Sequence, residues 1–459
     1  MKPVVDISRH FAKTGGDPLR DAFFRRTPVM PWRDKRPLPA EDLPAVWKGL
    51  LAESAGARRK RLAYVHVPFC ANHCLFCGFY RNAYRPEAAA DYVALIIEEI
   101  EREACEPAIR CRPVHAVYLG GGTPSALSAD ELSRILGTIR RCLPLAADCE
   151  ITVEGRIIHF DAEKIDACLE AGANRFSIGV QTFDTEVRRR QGRRASREEV
   201  IRFLDDIRQK DSATLVFDLI YGLPGQTHEV WREDLRMAAA LEPDGVDLYG
   251  LSIFPGTPLH AAIASNKFGH TVALPELGPM YRIGVEFLAA QGWRQISNSH
   301  WARTTRERNL YNLLIKEGAD CLAYGSGAGG SLDRYSYNLS GSLEHYTSSL
   351  GEGRKPIEAM RIADDLQPTR DFVTAGFEVG RLDLSQLETP LVSNAPTLLK
   401  PLAEQWQAAG LLTFDGTAAL LTTAGRFWYA NLVTAFNDVL AKAAGLSIPT
   451  DHQARGTQT

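Results

Sequence analysis

The feature that most constrains this chain is the stretch YVHVPFCANHCLFCGFYRN, Tyr64 to Asn82, which places three cysteines within eight residues. Thiolates at the spacing C-x-x-x-C-x-x-C can reach one metal centre from a single tight loop. A structural zinc would need a fourth ligand, which His66 or His73 could supply. A cubane iron–sulfur cluster usually takes four thiolates, so three would leave one iron open to a small molecule. The spacing alone leaves both metals open.

The composition excludes several classes of protein. A length of 459 residues predicts two or three domains, and 45% hydrophobic with 24% charged residues is typical of a soluble globular protein. A net charge of -3 disfavours nucleic acid as a partner, because any basic site must be local, such as the run from Arg188 to Arg194. We find no secretory signal and no apolar stretch long enough to span a membrane, and we predict a cytoplasmic protein.

The pattern after the cysteines predicts the fold class. Short apolar runs alternate six times with amphipathic stretches, which is typical of an α/β protein with a buried parallel sheet. A full or partial (β/α) barrel fits best, and in such a barrel functional side chains lie at the carboxyl ends of the strands. The motifs that follow the six runs are PFCANHC, GGGTP, EGR, GVQTF, DLIYGLPG and SIFPGTP.

The predicted domains follow from shifts in this pattern. The first segment is rich in Pro, Arg and Asp and predicts an irregular arm, whereas alternation stops after the barrel and gives way to helices and a hairpin around Asp415-Gly416. We predict an N-terminal arm with a potential substrate contact at 1–60, a barrel at 61–300, a barrel extension and connector at 301–364, a small winged-helix-like domain at 365–448, and a disordered tail at 449–459.

Residues at the strand ends favour a catalytic cluster over a structural zinc. The three glycines of GGGTP exceed what a plain turn needs and suggest the close approach of a ligand. Glu154 and Asp218 place acids at the ends of apolar strands, where a charge is costly without a partner or ligand. Gln181 and Arg193 follow another strand. Salt bridges to helices and solvated loops are the alternative explanations, but all these residues coincide at one face of the predicted barrel.

Several motifs together resemble those of a known family. YVHVPFCANHCLFCGF, GGGTP, RFSIGVQTFD, DLIYGLPGQT and SIFPGTP resemble the radical S-adenosylmethionine (SAM) family of the anaerobic coproporphyrinogen III dehydrogenases and their relatives, over about Leu62 to Phe436. The resemblance implies a partial barrel in which Cys70, Cys74 and Cys77 bind a [4Fe-4S] cluster whose open iron holds SAM. It also implies two SAM molecules, the first held by Tyr64, Gly121 and Glu154, the second by Phe76, Gly122, Thr123, Gln181, Arg193, Asp218 and Ser252. Cluster-bound SAM does the chemistry, so no side chain is assigned a catalytic role.

Departures from the family patterns separate its three groups. Phe79 stands where the dehydrogenases carry a further cysteine, and Tyr311 replaces a glutamine, which weakens the dehydrogenase interpretation. In the stretch Arg308 to Leu313, the histidine, tyrosine and tryptophan of the haem-chaperone signature are all missing from their places. CANHCLFCGFYRN most closely resembles the third group, the haem-utilisation radical SAM methyltransferases.

That resemblance implies an enzyme that opens the haem macrocycle without oxygen and releases iron and a methylated linear tetrapyrrole, anaerobilin. A coproporphyrinogen III dehydrogenase and a non-catalytic haem chaperone are the alternatives. The implied partners are haem and reduced flavodoxin or another low-potential electron donor. We predict that Arg25 and Arg26 contact haem propionates and that His300 binds haem iron, with His66, His73 and His115 as other candidates.

Overall fold

The computed structural model describes residues 6–28, 32–53, 59–268, 271–387 and 389–446. The tail predicted as disordered, 449–459, lies outside the described residues. None of the helices within the described ranges combines the length and the apolar character that a membrane span requires.

Seven parallel strands form the centre of the fold. In chain order they are β1 (Arg61–Val67), β2 (Val114–Gly121), β3 (Leu145–Gly155), β4 (Arg175–Gln181), β5 (Thr214–Tyr221), β6 (Gly245–Gly250) and β7 (Asp320–Tyr324). Strands β1 to β6 lie side by side in chain order, and β7 pairs with the free side of β1. Every residue of β4 is buried, as expected for a strand covered on both faces. The six predicted strands are confirmed, and β7 comes from the segment predicted as a barrel extension.

Six helices connect or follow these strands on the outside of the sheet. They are α1 (Pro86–Glu103), α2 (Ala129–Cys142), α3 (Ala162–Glu170), α4 (Arg197–Lys210), α5 (His228–Ala240) and α6 (Leu274–Ala290). Ser128 and Ser196 form capping boxes with Glu131 and Glu199, and Asp161 caps α3. Such caps satisfy backbone N–H groups that have no partner within the helix, which favours a helix start at these positions.

The sheet stays open, so the architecture is a partial barrel. Antiparallel strands extend both of its edges, beyond β6 with His300–Ala302 and Arg294–Gln295, and beyond β7 with Gly329–Leu332, Tyr335–Leu339, Ile357–Ile362 and Arg36–Pro37. Within the described residues, β6 does not pair with β7. The predicted fold class is therefore confirmed in its partial form.

The remaining elements are short or belong to the C-terminal part. Shorter helices span Pro18–Asp21, Leu43–Ala52, Pro107–Arg110, Thr185–Arg190, Pro258–Ala264, Leu310–Lys316 and Leu343–Gly351, and a small parallel pair joins Phe69–Cys70 to Asn82–Ala83. The C-terminal part contains helices Gln367–Glu378, Ala395–Ala408, Thr423–Phe427 and Tyr429–Ala443 and a sheet of Arg381–Asp383, Ala418–Leu421 and Leu412–Phe414. The predicted helix, hairpin and final helix are present; the winged-helix-like grouping and the domain boundaries stay predictions.

The N-terminal arm joins the C-terminal helices to the barrel. The indole N–H of Trp406 donates to the carbonyl of His10 at 3.1 Å, and that of Trp428 to Pro18 at 2.7 Å. Leu19 is buried, and its carbonyl lies so close to Gly278 of α6 that a β-carbon there would be 2.1 Å away. The arm is therefore part of the packed core.

Candidate active site

A cavity of about 410 Å³ lies at the carboxyl ends of the parallel strands, beside the cysteine loop, which is the segment from Cys70 to Cys77. Among the residues that the resemblance assigns to the cluster or to SAM, those lining it are Cys70, Cys74, Cys77, Phe76, Gly121, Gly122, Thr123, Glu154, Gln181, Arg193, Asp218 and Ser252. Tyr64 is the one member of that set outside the lining. The fold thus brings together strand ends that are far apart in the chain, at the face where barrel enzymes carry their active sites.

Each of the three cysteine sulfurs has a donor within reach. These pairs are Cys70 with Thr123 Oγ1 at 3.3 Å, Cys74 with Arg156 Nη2 at 3.0 Å, and Cys77 with the backbone N–H of Phe79 at 3.4 Å. Burial raises the pKa of the Cys70 and Cys77 thiols, so a cation is needed to hold them as thiolates at neutral pH. Hydrogen bonds to such sulfurs are one way in which proteins tune the potential of an iron–sulfur cluster.

The donor set fits a cubane cluster. Within the described ranges, no three His, Cys, Asp or Glu side chains converge closely enough to hold a single metal ion. The thiolates of a cubane each bind a different iron, so their sulfurs need only surround a shared space, as the three cysteines do here. His66, considered as a fourth zinc ligand, has its Nδ1 2.9 Å from the Tyr64 hydroxyl and does not line the cavity.

The glycines after β2 are required by the close approach of the cysteine loop. Gly121 has φ +118°, and a β-carbon there would lie 2.8 Å from the His66 ring. A β-carbon on Gly122 would lie 2.6 Å from the carbonyl oxygen of Phe69 and 3.1 Å from Cys70 Sγ. A side chain at either position would push the loop away from the strand ends. Glycines in this turn thus let the first cysteine sit directly against the cavity wall.

Glu154 at the end of β3 is held from two sides. The Tyr118 hydroxyl donates to Oε1 at 3.2 Å, and the Gly121 N–H donates to Oε2 at 3.1 Å. Burial raises the pKa of Glu154, against the effect of these two donors. Tyr64 lies one layer behind, with its ring stacked 6.4 Å from that of Tyr118. Tyr64 therefore supports the lining from behind.

The strand β4 ends in a distortion that turns Gln181 toward the cavity. The register between β4 and β5 shifts between Gly179 and Gln181, and Gln181 has φ +72°. Arg193 is buried and its Nη1 donates to the carbonyl of Gly179 at 2.5 Å. In the part of the chain that the structure describes, Gln181 Oε1 and Arg193 Nε are buried without a hydrogen-bond partner. Unpaired buried atoms in a cavity wall are typical of a ligand site.

Asp218 at β5 is the second acid in the cavity wall. Ser177 Oγ lies 3.4 Å from its Oδ1. Burial and the neighbouring carboxylates of Asp247 and Glu154 raise the pKa of Asp218. A cationic ligand placed here would relieve this repulsion. Ser252, from the loop after β6, lies at the exposed rim of the same cavity.

His300 does not reach the cavity, which corrects the prediction that it binds haem iron. The ring is fully buried, with Nδ1 2.8 Å from Asp247 Oδ1 and Nε2 3.0 Å from Glu307 Oε1. Arg175 pairs with the same Glu307 at 3.0 Å. Burial lowers the pKa of His300, but the two carboxylates outweigh it and raise the value to about 9. A protonated imidazole has no free lone pair for iron.

Arg26 reaches the strand ends from the N-terminal arm. A β-carbon on Gly250, in the cavity lining, would lie 2.8 Å from Arg26 Nη1. The Arg26 guanidinium also hydrogen-bonds Tyr221 and stacks 4.8 Å from the Phe427 ring. Arg25 is exposed, and its carbonyl accepts a hydrogen bond from Asn431 at 2.9 Å. A role of either arginine in substrate binding stays a prediction.

Arg156 is a site residue that the sequence analysis does not single out. Besides Cys74, its guanidinium contacts the carbonyl of Asn72 at 3.2 Å, so it ties β3 to the cysteine loop. The available signal was its place in EGR, two positions after Glu154. Its direction depends on the packing of the loop and could not be read from spacing.

Exposed apolar side chains surround the mouth of the cavity, and the sequence does not predict this grouping. Phe79 is 69% exposed and Phe254 45%, and both line the cavity, as does Tyr249 at 41%. Ile253, beside Phe254, is also 41% exposed. Clustered exposed apolar residues next to a cavity are typical of a binding surface for an apolar partner.

Comparisons with known proteins agree with this geometry. The model of the radical SAM superfamily matches residues 64–238. A protein of Escherichia coli O157:H7 named anaerobilin synthase is 46% identical over 438 residues, which cover 95% of this chain and 96% of that protein. The heme chaperone HemW of Bacillus subtilis is 26% identical over 79% of this chain and 96% of its own length.

A solved structure supports the same assignment. Coproporphyrinogen III oxidase (HemN) from Escherichia coli, described as a radical SAM enzyme, matches with a TM-score of 0.73 and 25% identity. The match covers 85% of this chain and 93% of that chain. The chain therefore belongs to the radical SAM superfamily, as an enzyme of a family whose cofactors are a [4Fe-4S] cluster and SAM.

Proposed function

We propose that this enzyme opens the haem macrocycle without oxygen, transferring a methyl-derived carbon and releasing iron and a linear tetrapyrrole. One observation carries the proposal: the three cysteines assigned to the cluster and the residues assigned to SAM, except Tyr64, line a single cavity with an apolar rim. The 46% identity to anaerobilin synthase over 95% of the chain points to haem as the substrate. We further propose that the enzyme acts in the cytoplasm, in anaerobic iron acquisition.

The cavity residues suit the cofactors that we assign to them. Cys70, Cys74 and Cys77 are proposed to hold the cluster, which when bound supplies the electron that cleaves SAM to start the radical reaction. We assign the first SAM to Tyr64, Gly121 and Glu154, and the second to Phe76, Gly122, Thr123, Gln181, Arg193, Asp218 and Ser252. Two SAM molecules in rigid contact would let a short-lived radical meet its partner before it meets solvent.

The charges in the cavity complement those of SAM. Glu154 and Asp218 are partly buried carboxylates that lack a cationic partner at hydrogen-bonding distance among the described residues. Each could accept hydrogen bonds from an ammonium group, as could the unpaired Gln181 Oε1. The unpaired Nε–H of Arg193 could donate to a carboxylate.

The rim suits a planar apolar substrate. Phe79, Tyr249 and Phe254 offer aromatic surface at the cavity mouth, against which a macrocycle could lie flat. Arg26 stands at the end of β6, where it could pair with a propionate. The electron source is proposed to be reduced flavodoxin or another low-potential donor.

The test is an anaerobic assay of the reconstituted protein with haem, SAM and a low-potential reductant, followed by mass spectrometry of the pigment. We expect loss of the Soret absorption, release of iron and a methylated linear tetrapyrrole. Tight haem binding with an unchanged Soret band under the same conditions would identify a carrier instead. Carbon dioxide release from coproporphyrinogen, with no effect on haem, would identify a dehydrogenase.

A further inference from the structure

A basic surface depression of about 520 Å³ lies beside the cysteine loop. It is lined by Asn72, His73, Arg189, Gly192, Arg193 and Arg194. Three of these residues are arginines and none is acidic. The arginines belong to the run after β4. Among them, Arg193 alone has a proposed role in cofactor binding.

This arginine run packs directly on the cysteine loop. Asn72 Nδ2 donates to the carbonyl of Gly192 at 2.8 Å. Gly192 has φ +77°, and a β-carbon there would lie 3.2 Å from the carbonyl oxygen of His73 and 3.8 Å from the α-carbon of Cys74. One layer of backbone therefore separates the depression from a proposed cluster ligand.

The arginines of the run divide into buried and exposed members. Arg188 is buried and donates to the carbonyls of its own surroundings, so its role is structural. Arg193 is buried and lines both the depression and the active-site cavity, which places it between the two. Arg189 and Arg194 are exposed. The pair of Arg189 with Glu186 at 3.2 Å is open to solvent on both sides, so it holds the guanidinium only weakly.

We propose that this basic depression is the docking surface of an acidic protein that carries a one-electron donor. Complementary charge speeds such encounters, and electron-transfer partners typically meet through small, weak interfaces. One electron leaves the donor, which is oxidised, and enters the cluster, which is reduced; no bond forms and no proton moves at this surface. The inference rests on the cluster ligands assigned under the proposed function and does not depend on the identity of the substrate.

The test compares electron delivery by a protein with delivery by a small reductant. The double variant Arg189→Glu/Arg194→Glu reverses two exposed charges, and Arg134→Glu/Arg236→Glu makes the same change on the outer faces of α2 and α5 as a control. With reduced flavodoxin as the probe, SAM cleavage in the absence of haem should fall about tenfold in the first variant only. With dithionite, all three proteins should cleave SAM at equal rates.

Binding provides a readout that does not need a loaded active site. Oxidised flavodoxin should bind the full-length protein, with or without its cluster, about tenfold more weakly when Arg189 and Arg194 are reversed. Wild-type affinity should fall as ionic strength rises from about 20 to about 200 mM. Equal flavodoxin-driven rates in all three proteins would overturn the proposal. An equal loss of SAM cleavage by Arg189→Glu/Arg194→Glu with dithionite would also overturn it. A wild-type affinity for flavodoxin that does not change with salt would do the same. If flavodoxin docks as expected but the enzyme leaves haem intact, only the proposed substrate is overturned.

Discussion

At the scale of single residues, hydrogen bonds to sulfur have a direct chemical consequence. Arg156 brings a positive charge within 3.0 Å of Cys74 Sγ, and a charge-assisted hydrogen bond there stabilises electron-rich sulfur. We expect Arg156→Gln to make the cluster potential more negative by about 60 mV, the one-electron equivalent of losing roughly 1.5 kcal/mol, so that a donor of fixed potential reduces a smaller fraction of the cluster. Spectroelectrochemical titration of the reconstituted protein measures the potential. Arg134→Gln is the surface control and should keep the wild-type potential. An unchanged potential in Arg156→Gln would contradict the prediction.

The buried ion pairs of His300 make a prediction about pH. The pKa of His300 is about 9 in the fold, above the value of about 6.5 for an unperturbed histidine, because Asp247 and Glu307 hold the charged form. Its contribution to stability is therefore fully present below pH of about 6.5 and is lost as pH rises through about 9. The pKa of Glu307 is lowered to about 2, so the stability that its charged form contributes is lost only at far lower pH.

The measurement compares melting temperatures of the wild type and His300→Gln between pH of about 6 and about 9.5. The advantage of the wild type should be largest at the acidic end and shrink toward the alkaline end. Glu307 keeps its partner Arg175 in the variant, whereas Asp247 loses its ion pair with the ring. A difference that stays constant across this range would show that the ring is not charged in the fold.

At the scale of elements, the turn after β2 has to let the cysteine loop approach. Gly122→Ala would place a β-carbon 2.6 Å from the carbonyl oxygen of Phe69, closer than atoms can stay. We expect a folded protein that retains less than about half of the wild-type iron and sulfide after reconstitution, since small displacements loosen such sites. Gly137→Ala in α2 is the control, because its β-carbon would be 3.5 Å from the nearest atom and alanine favours a helix. Equal iron contents would count against this account of the turn.

The apolar loop after β6 makes a second prediction at this scale. Phe254→Ser removes an exposed aromatic side chain from the cavity rim without opening a hole in the core. We expect the KM for haem to rise about tenfold while SAM cleavage without haem is unchanged, because only macrocycle contacts are lost. Leu420→Ser, at a similarly exposed site in the C-terminal sheet, should leave both quantities unchanged. A KM as low in Phe254→Ser as in the wild type would place haem elsewhere.

At the scale of the whole molecule, the arm, the barrel and the C-terminal helices share one apolar core. Leu19 of the arm belongs to this core, and Trp406 and Trp428 are both hydrogen-bonded to arm carbonyls. We expect deletion of residues 1–27 to lower the melting temperature by at least about 5 °C. Arg26→Ala removes only the contacts of this side chain with Tyr221 and Phe427, so it should lower the melting temperature by less than the deletion does and should weaken haem binding. An unchanged melting temperature after the deletion would show that the arm is dispensable for stability.

Features set by near neighbours in the chain could be predicted from the sequence. The capping boxes at Ser128 and Ser196, the six strand runs and the three cysteines within eight residues depend on spacings of a few positions. The parallel arrangement then follows from the alternation, and it correctly places Glu154 and Asp218 at one face, since parallel strands end together.

What only the tertiary structure decided are the contacts between residues far apart in the chain. His300 is a conspicuous histidine by sequence, but its partners Asp247 and Glu307 come from other segments and turn it into a buried cation. The direction of Arg156 and the reach of Arg26 to the strand ends depend likewise on packing. Side-chain identity and spacing determine which chemistry is available, whereas the fold determines which partner each charged group meets, because burial and distance set the energy of every such contact.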